Sequence, residues 1–104
     1  MGLDELYTIL KTVYPTAYWS FPVGEAPPMP FICFFEESSD NFGADNVVYH
    51  HTKVVNIELL TRAKDPTAEQ AVEKALTDAG IYWEKTSTHL DDEDAFECIY
   101  TVEV

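Results

Sequence analysis

The closing stretch of the chain constrains it most. From Ala95 to Val104, the residues Phe96, Cys98, Tyr100, Val102 and Val104 alternate with Glu97, Ile99, Thr101 and Glu103. A period of two is the pattern of a strand with one face buried. Such a strand needs partners along its edges and a layer over its apolar face. The chain must therefore supply further strands and something to cover them.

Two helical segments can provide the cover. Leu3, Leu6, Tyr7, Leu10, Val13 and Tyr14 recur at helical spacing, with Asp4 and Glu5 in the first turn, Lys11 near the end and Pro15 as the stop. The second helix opens at Asp65 as cap with Pro66 at its first position, and Gly80 ends it. Its inner stripe is Ala68, Ala71, Val72, Ala75, Leu76 and Ala79, small enough to lie close against a sheet.

The remaining segments read as strands and loops. Ala17–Phe21 is aromatic and suits a half-buried strand, and Phe31–Glu36 is a continuous apolar run. Between them, Pro22–Pro30 holds four prolines and reads as an extended loop. Ser38–Asn46 is the most turn-rich piece, followed by a long strand candidate at Val47–Ala63. That length exceeds an ordinary strand, which predicts a break, bulge or projecting arm near His50-His51-Thr52. Ile81–Thr86 is the strand before the last one. The expected fold is α+β in the order α-β-β-β-α-β-β, a mostly antiparallel sheet with both helices packed on one face. Residues 1–104 make a single domain of ordinary size.

Charge narrows the function. Nineteen acidic residues against six basic ones give a net charge of −13. This argues against binding a phosphate backbone or an anionic membrane, both of which require clustered Lys and Arg. No apolar run approaches the ~20 residues of a membrane span, and Met1–Glu5 has no signal-peptide start. Cys33 and Cys98 fall within apolar strand patterns and read as reduced, buried thiols of a cytosolic protein.

The chain shows little active-site chemistry. His50 and His51 are adjacent on a strand and so face opposite ways, while His89 is expected in a different loop; no metal site is expected there. Asp91-Asp92-Glu93-Asp94 lacks the spacing of a calcium loop and reads as a solvated hairpin tip, with weak magnesium attraction at an oligomer junction as the alternative. Glu36 and Glu37 point to opposite faces of an extended chain and make no acid–base pair. No phosphate-cradling glycine loop, dinucleotide fingerprint or nucleophile elbow occurs. The expectation is a protein that is not an enzyme and takes no cofactor. Trp19, Phe21, Phe42 and Tyr49 flank turns or strand ends, where interface anchors are often found. Together with the long Pro22–Pro30 and Ser38–His51 segments, they point to contact with other proteins.

Three segments carry a family resemblance. Asp40-Asn41-Phe42-Gly43-Ala44-Asp45-Asn46-Val47-Val48-Tyr49 resembles the NNF-ADN-x-x-Y segment of small proteins from prophages of Gram-positive bacteria. Asn56–Pro66 resembles their IELYTKKKDP segment, which precedes an alanine-rich helix, and Ile99–Val104 is similar to their ending. These proteins resemble the tail terminator and tail-to-head joining proteins of long, non-contractile-tailed phages. The resemblance implies a virion structural protein of the tail or neck, assembled in the host cytoplasm. It implies a homo-oligomeric ring, a hexamer in the virion, that caps the tail tube and meets the head connector. Its partners would be other copies, the tail-tube protein and the head-connector protein, with no sequence-specific nucleic acid and no membrane. On this reading Phe42, Asp45, Asn46, Tyr49 and Trp19 are candidate subunit or tube contacts, and Asp91, Asp92, Glu93 and Asp94 would face the lumen or rim. Two rival classes are an acidic decoy that imitates DNA, which needs carboxylates in two spaced rows, and a small ligand-sensing α+β domain, which needs a concave polar pocket.

Overall fold

The computed structural model of the protein describes residues 1–44, 47–91 and 94–104, with side chains described outside 38–52. The elements are α1 (Leu3–Lys11), β1 (Thr16–Tyr18), β2 (Phe31–Ala44), β3 (Val47–Thr61), α2 (Pro66–Asp78), β4 (Trp83–Leu90) and β5 (Ala95–Glu103). One five-stranded sheet has the order β1-β2-β3-β5-β4. The α+β class, the element order and the mostly antiparallel sheet follow the expectation from sequence.

Both helices cover the same face. Across the sheet, Phe34, Ile57, Tyr100 and Lys85 form one row, and Ile32, Leu59, Cys98 and Ser87 the next. Their apolar members join Leu6 and Leu10 of α1 and Ala68, Val72 and Leu76 of α2 in one core cluster. Leu6, Leu10, Val72 and Leu76 are wholly buried, each worth about 1.5–3 kcal/mol of apolar transfer. The Asp65 side chain caps α2 by accepting a 3.0 Å bond from the Ala68 N–H. At the other end Gly80 sits at φ 76°, the left-handed conformation that lets the chain leave the helix.

Several details differ from expectation, among them the start of β4 at Trp83 and not Ile81 and the end of β3 at Thr61 and not Ala63. β1 is shorter than Ala17–Phe21, because Trp19 takes φ 69° and turns the chain out of the sheet. β1 runs parallel to β2, not antiparallel; residues 19–30 are long enough for the crossover that a parallel pair requires. The turn-rich residues from Ser38 to Ala44 are strand, since backbone pairing with β3 overrides their local preference. β4 extends to Leu90, so His89 lies on a strand opposite Phe96 and not in a loop.

The unusual length of β3 is resolved as an arm. β5 accompanies β3 only from Val54 to Thr61, and Lys53 closes that ladder by exchanging two 3.0 Å bonds with Val104. Beyond this point β2 and β3 pair only with each other. The register skips Glu37 on β2 and Tyr49 on β3, a bulge in each strand. The expected break beside His50 is therefore the bulge at Tyr49. The chain's longest dimension is 49 Å, about the length of a fourteen-residue strand.

Candidate functional site

The residues singled out from sequence do not converge. The arm and the acidic turn lie at opposite ends of the sheet, because β5 starts at the turn and finishes at the arm's base. Phe42 and Tyr49 are backbone positions of the arm, and their side chains lie outside the described residues, as do Asp45, Asn46, Asp92 and Glu93 entirely. Asp91 pairs with His89, its Oδ1 lying 2.7 Å from Nδ1. Asp94 takes φ 48°, a left-handed value Asp tolerates in turns. Among the described residues, no group of three or more His, Cys, Asp or Glu is placed to hold a metal ion. No described helix is long and apolar enough to cross a membrane.

Trp19 sits elsewhere, at the β1 edge. It is 58% exposed and stacks on Phe35 at 4.9 Å, with an interplanar angle of 18°. Phe21 meets Phe31 edge-on at 5.3 Å. These two contacts hold the start of the proline loop against β2. On the helix side of the same edge, Tyr7 and Tyr18 pack against Phe34, and with Leu3 they line an apolar cleft. Tyr18 and Trp19 of these seven aromatic residues are exposed, and so is Val23.

Two charged arrangements escaped sequence reasoning. On the helix side, Glu69 is buried yet doubly paired, with Lys64 at 2.9 Å and Lys85 at 3.1 Å. Burial alone would push its carboxyl up, but the hydrogen bonds from Lys64 and Lys85 outweigh this and hold it below the usual range. Lys85 also reaches Glu73 at 2.8 Å, and the Tyr100 hydroxyl donates to the same carboxylate at 2.7 Å. This network ties α2 to β4 and β5.

Neither α1 nor α2 lies over the opposite face of the sheet, where Trp19 and Phe21 of the crossover pack on Phe35 and Phe31 of β2. Glu58 stands opposite Ile99 and Glu97 opposite Leu60, so the two carboxyls are diagonal neighbours on one face. Cys33 adjoins Glu58 on β2. Burial, then the nearby charge of Glu97 and a hydrogen bond with it, push the Glu58 carboxyl up to about 7. Burial and the charge of Glu58 likewise raise the Cys33 thiol. The polar half of the period-two pattern announces Glu97 as outward-facing; only the β3–β5 register shows that it meets Glu58.

Neither a protein-family profile nor a curated protein matches the sequence. In structure, the chain is similar to one from the virion of native gene transfer agent (GTA) particle. The TM-score is 0.58 at 14% identity, covering 95% of this chain and 83% of that one. At that identity the likeness is one of fold.

Proposed function

We propose that the protein is a structural component of the head–tail region of a phage-like virion, a tail terminator or tail completion subunit. In this reading copies assemble into a ring that caps the tail tube and presents a surface to the head connector. The role is structural, with no catalysis and no cofactor. The observation that carries the reading is the fold shared, over 95% of the chain, with a chain of a virion particle. The arm supports it: a ring subunit needs heterologous contacts with two neighbours, and a ribbon extending past the sheet supplies a reach that a closed domain lacks. The charge fits a channel for DNA, because an acidic lumen repels phosphate and keeps the nucleic acid sliding.

A six-membered ring would carry about −78 in formal charge, six times the subunit's −13, and this opposes assembly until salt or magnesium screens it. The test is solution mass by light scattering across protein concentration, salt and magnesium, with negative-stain imaging and added tail-tube protein. A ring near six subunits that grows with screening is the expected result. A strict monomer under every condition, tube protein included, overturns the reading.

A further inference from the structure

We propose that the helix-free face of the sheet, centred on the diagonal pair Glu58 and Glu97 and flanked by Leu60 and Ile99, docks a lysine- or arginine-bearing surface of a partner protein. This goes beyond the ring reading and does not depend on it.

Three observations carry the proposal. The first is incomplete cover: the crossover after β1 packs on this face only at β2, where Trp19 and Phe21 meet Phe35 and Phe31 and Cys33 is buried. Val54, Leu60 and Ile99 are only half-buried on this face, whereas the helix-side residues beside them, Val55, Leu59 and Tyr100, are wholly buried.

The second is the segregation of charge. Among the described side chains, the charged strand positions of this face are Glu37, Glu58, Glu84, Glu97 and Glu103, and the basic residue in alternation with them, Arg62, lies one position past the end of β3. Of the two strand lysines, Lys53 alternates with Val54 onto the other side, and Lys85 points there too and is taken by Glu69 and Glu73. Lys64 is likewise held by Glu69.

The third is the position of the central pair. Like charges that meet across strands destabilise a sheet, and Leu60, Ile99 and Cys33 keep water from fully screening these two. A cation set between them would remove the repulsion and gain two charge-assisted bonds. Apolar neighbours would bury the stem of a lysine or arginine beneath its charged head.

The chemistry selects a cationic protein surface over the other occupants. Nucleic acid is repelled, and a second copy laid face to face would set five carboxylates against five. Two carboxylates with apolar neighbours also fall short of the six or more oxygens a calcium ion takes.

The probe is an acetylated, amidated hexapeptide of alternating leucine and lysine, titrated into the 15N-labelled full chain at pH 8. The control peptide carries glutamine in place of lysine. Amide shifts should concentrate at Glu58, Leu60, Glu97 and Ile99, and the control should leave them unmoved. The Glu58→Gln/Glu97→Gln double variant, which keeps side-chain shape and removes the repulsion, should bind about tenfold more weakly or worse. Far-ultraviolet circular dichroism confirms that it is folded. Shifts centred on other segments, no binding at millimolar peptide, or unchanged affinity in the double variant would each overturn the proposal. So would shifts at these amides that follow the protein's own concentration, since the occupant would then be a second copy.

Discussion

Replacing Glu58 with glutamine should make the protein more stable, and only at neutral and alkaline pH. In the native sheet the Glu58 carboxyl is pushed up to about 7 by burial and by Glu97. A rise of that size disfavours the ionised form by about 3 kcal/mol. Water reaching the half-buried pair lowers the usable figure to about 1–2 kcal/mol. Below about pH 4.5 the group is protonated in folded and unfolded chains alike, and no penalty exists. Between there and about pH 7 the unfolded chain releases its proton first, so wild-type stability falls as pH rises and then levels off. Glu58→Gln removes this loss. Urea unfolding at pH 8 should show the variant ahead by about 1–2 kcal/mol, and thermal melting at that pH should show a midpoint roughly 4–16 °C higher for a domain of this size. At pH 4 the two proteins should coincide to within about 0.3 kcal/mol. An equal gain at both pH values, or a loss at pH 8, would refute the reasoning, because it would show that packing and not the carboxyl pair sets the difference.

Other perturbations test other parts of the molecule. Glu69→Gln leaves Lys64 and Lys85 without their shared anion and should cost about 1–3 kcal/mol at pH 7. Because the Glu69 carboxyl is held low, its contribution is present above the ordinary carboxylate range and lost as pH falls through its folded value; denaturant melts of wild type and variant should therefore converge in acid. Tyr100→Phe removes the bond to Glu73 while keeping the ring in the core, and a loss of about 1–2 kcal/mol in urea unfolding is expected. Phe42→Ala alters the arm, at a backbone position past the last rung between β3 and β5, so melting should stay within about 0.5 kcal/mol of wild type while light scattering shows weaker assembly.

What the sequence made legible was whatever rests on local pattern. The alternation of Phe96 through Val104, the Asp65-Pro66 start and the Gly80 stop appear in the structure where their chemistry places them. Pairing was harder, because it depends on distant segments. Nothing near Ser38 or Asp40 states that β3 will hold these turn-forming residues in a ladder, and nothing near Thr16 states that its partner will run parallel. The candidate site divided along the same line. Trp19 and the acidic turn stand out from composition, but their separation follows from strand order. The Glu58–Glu97 pair needs both register and burial before it can be seen, since two glutamates 39 positions apart carry no joint signal in the chain.

The arm has a consequence for how such a chain can change over generations. Its outer part lies past the last rung shared with β5, so its backbone pairs only within the ribbon. A two-stranded ribbon by itself is only marginally stable in water, so a neighbour that pairs with or packs on it adds to its stability. Substitutions in the ribbon are expected to change the melting of the domain less than substitutions at the wholly buried Leu59 or Tyr100. Selection for fit to a neighbour and selection for a stable fold thus act on separate parts of one short polypeptide. The ribbon is free to diverge with whatever it meets while the five-stranded body stays recognisable.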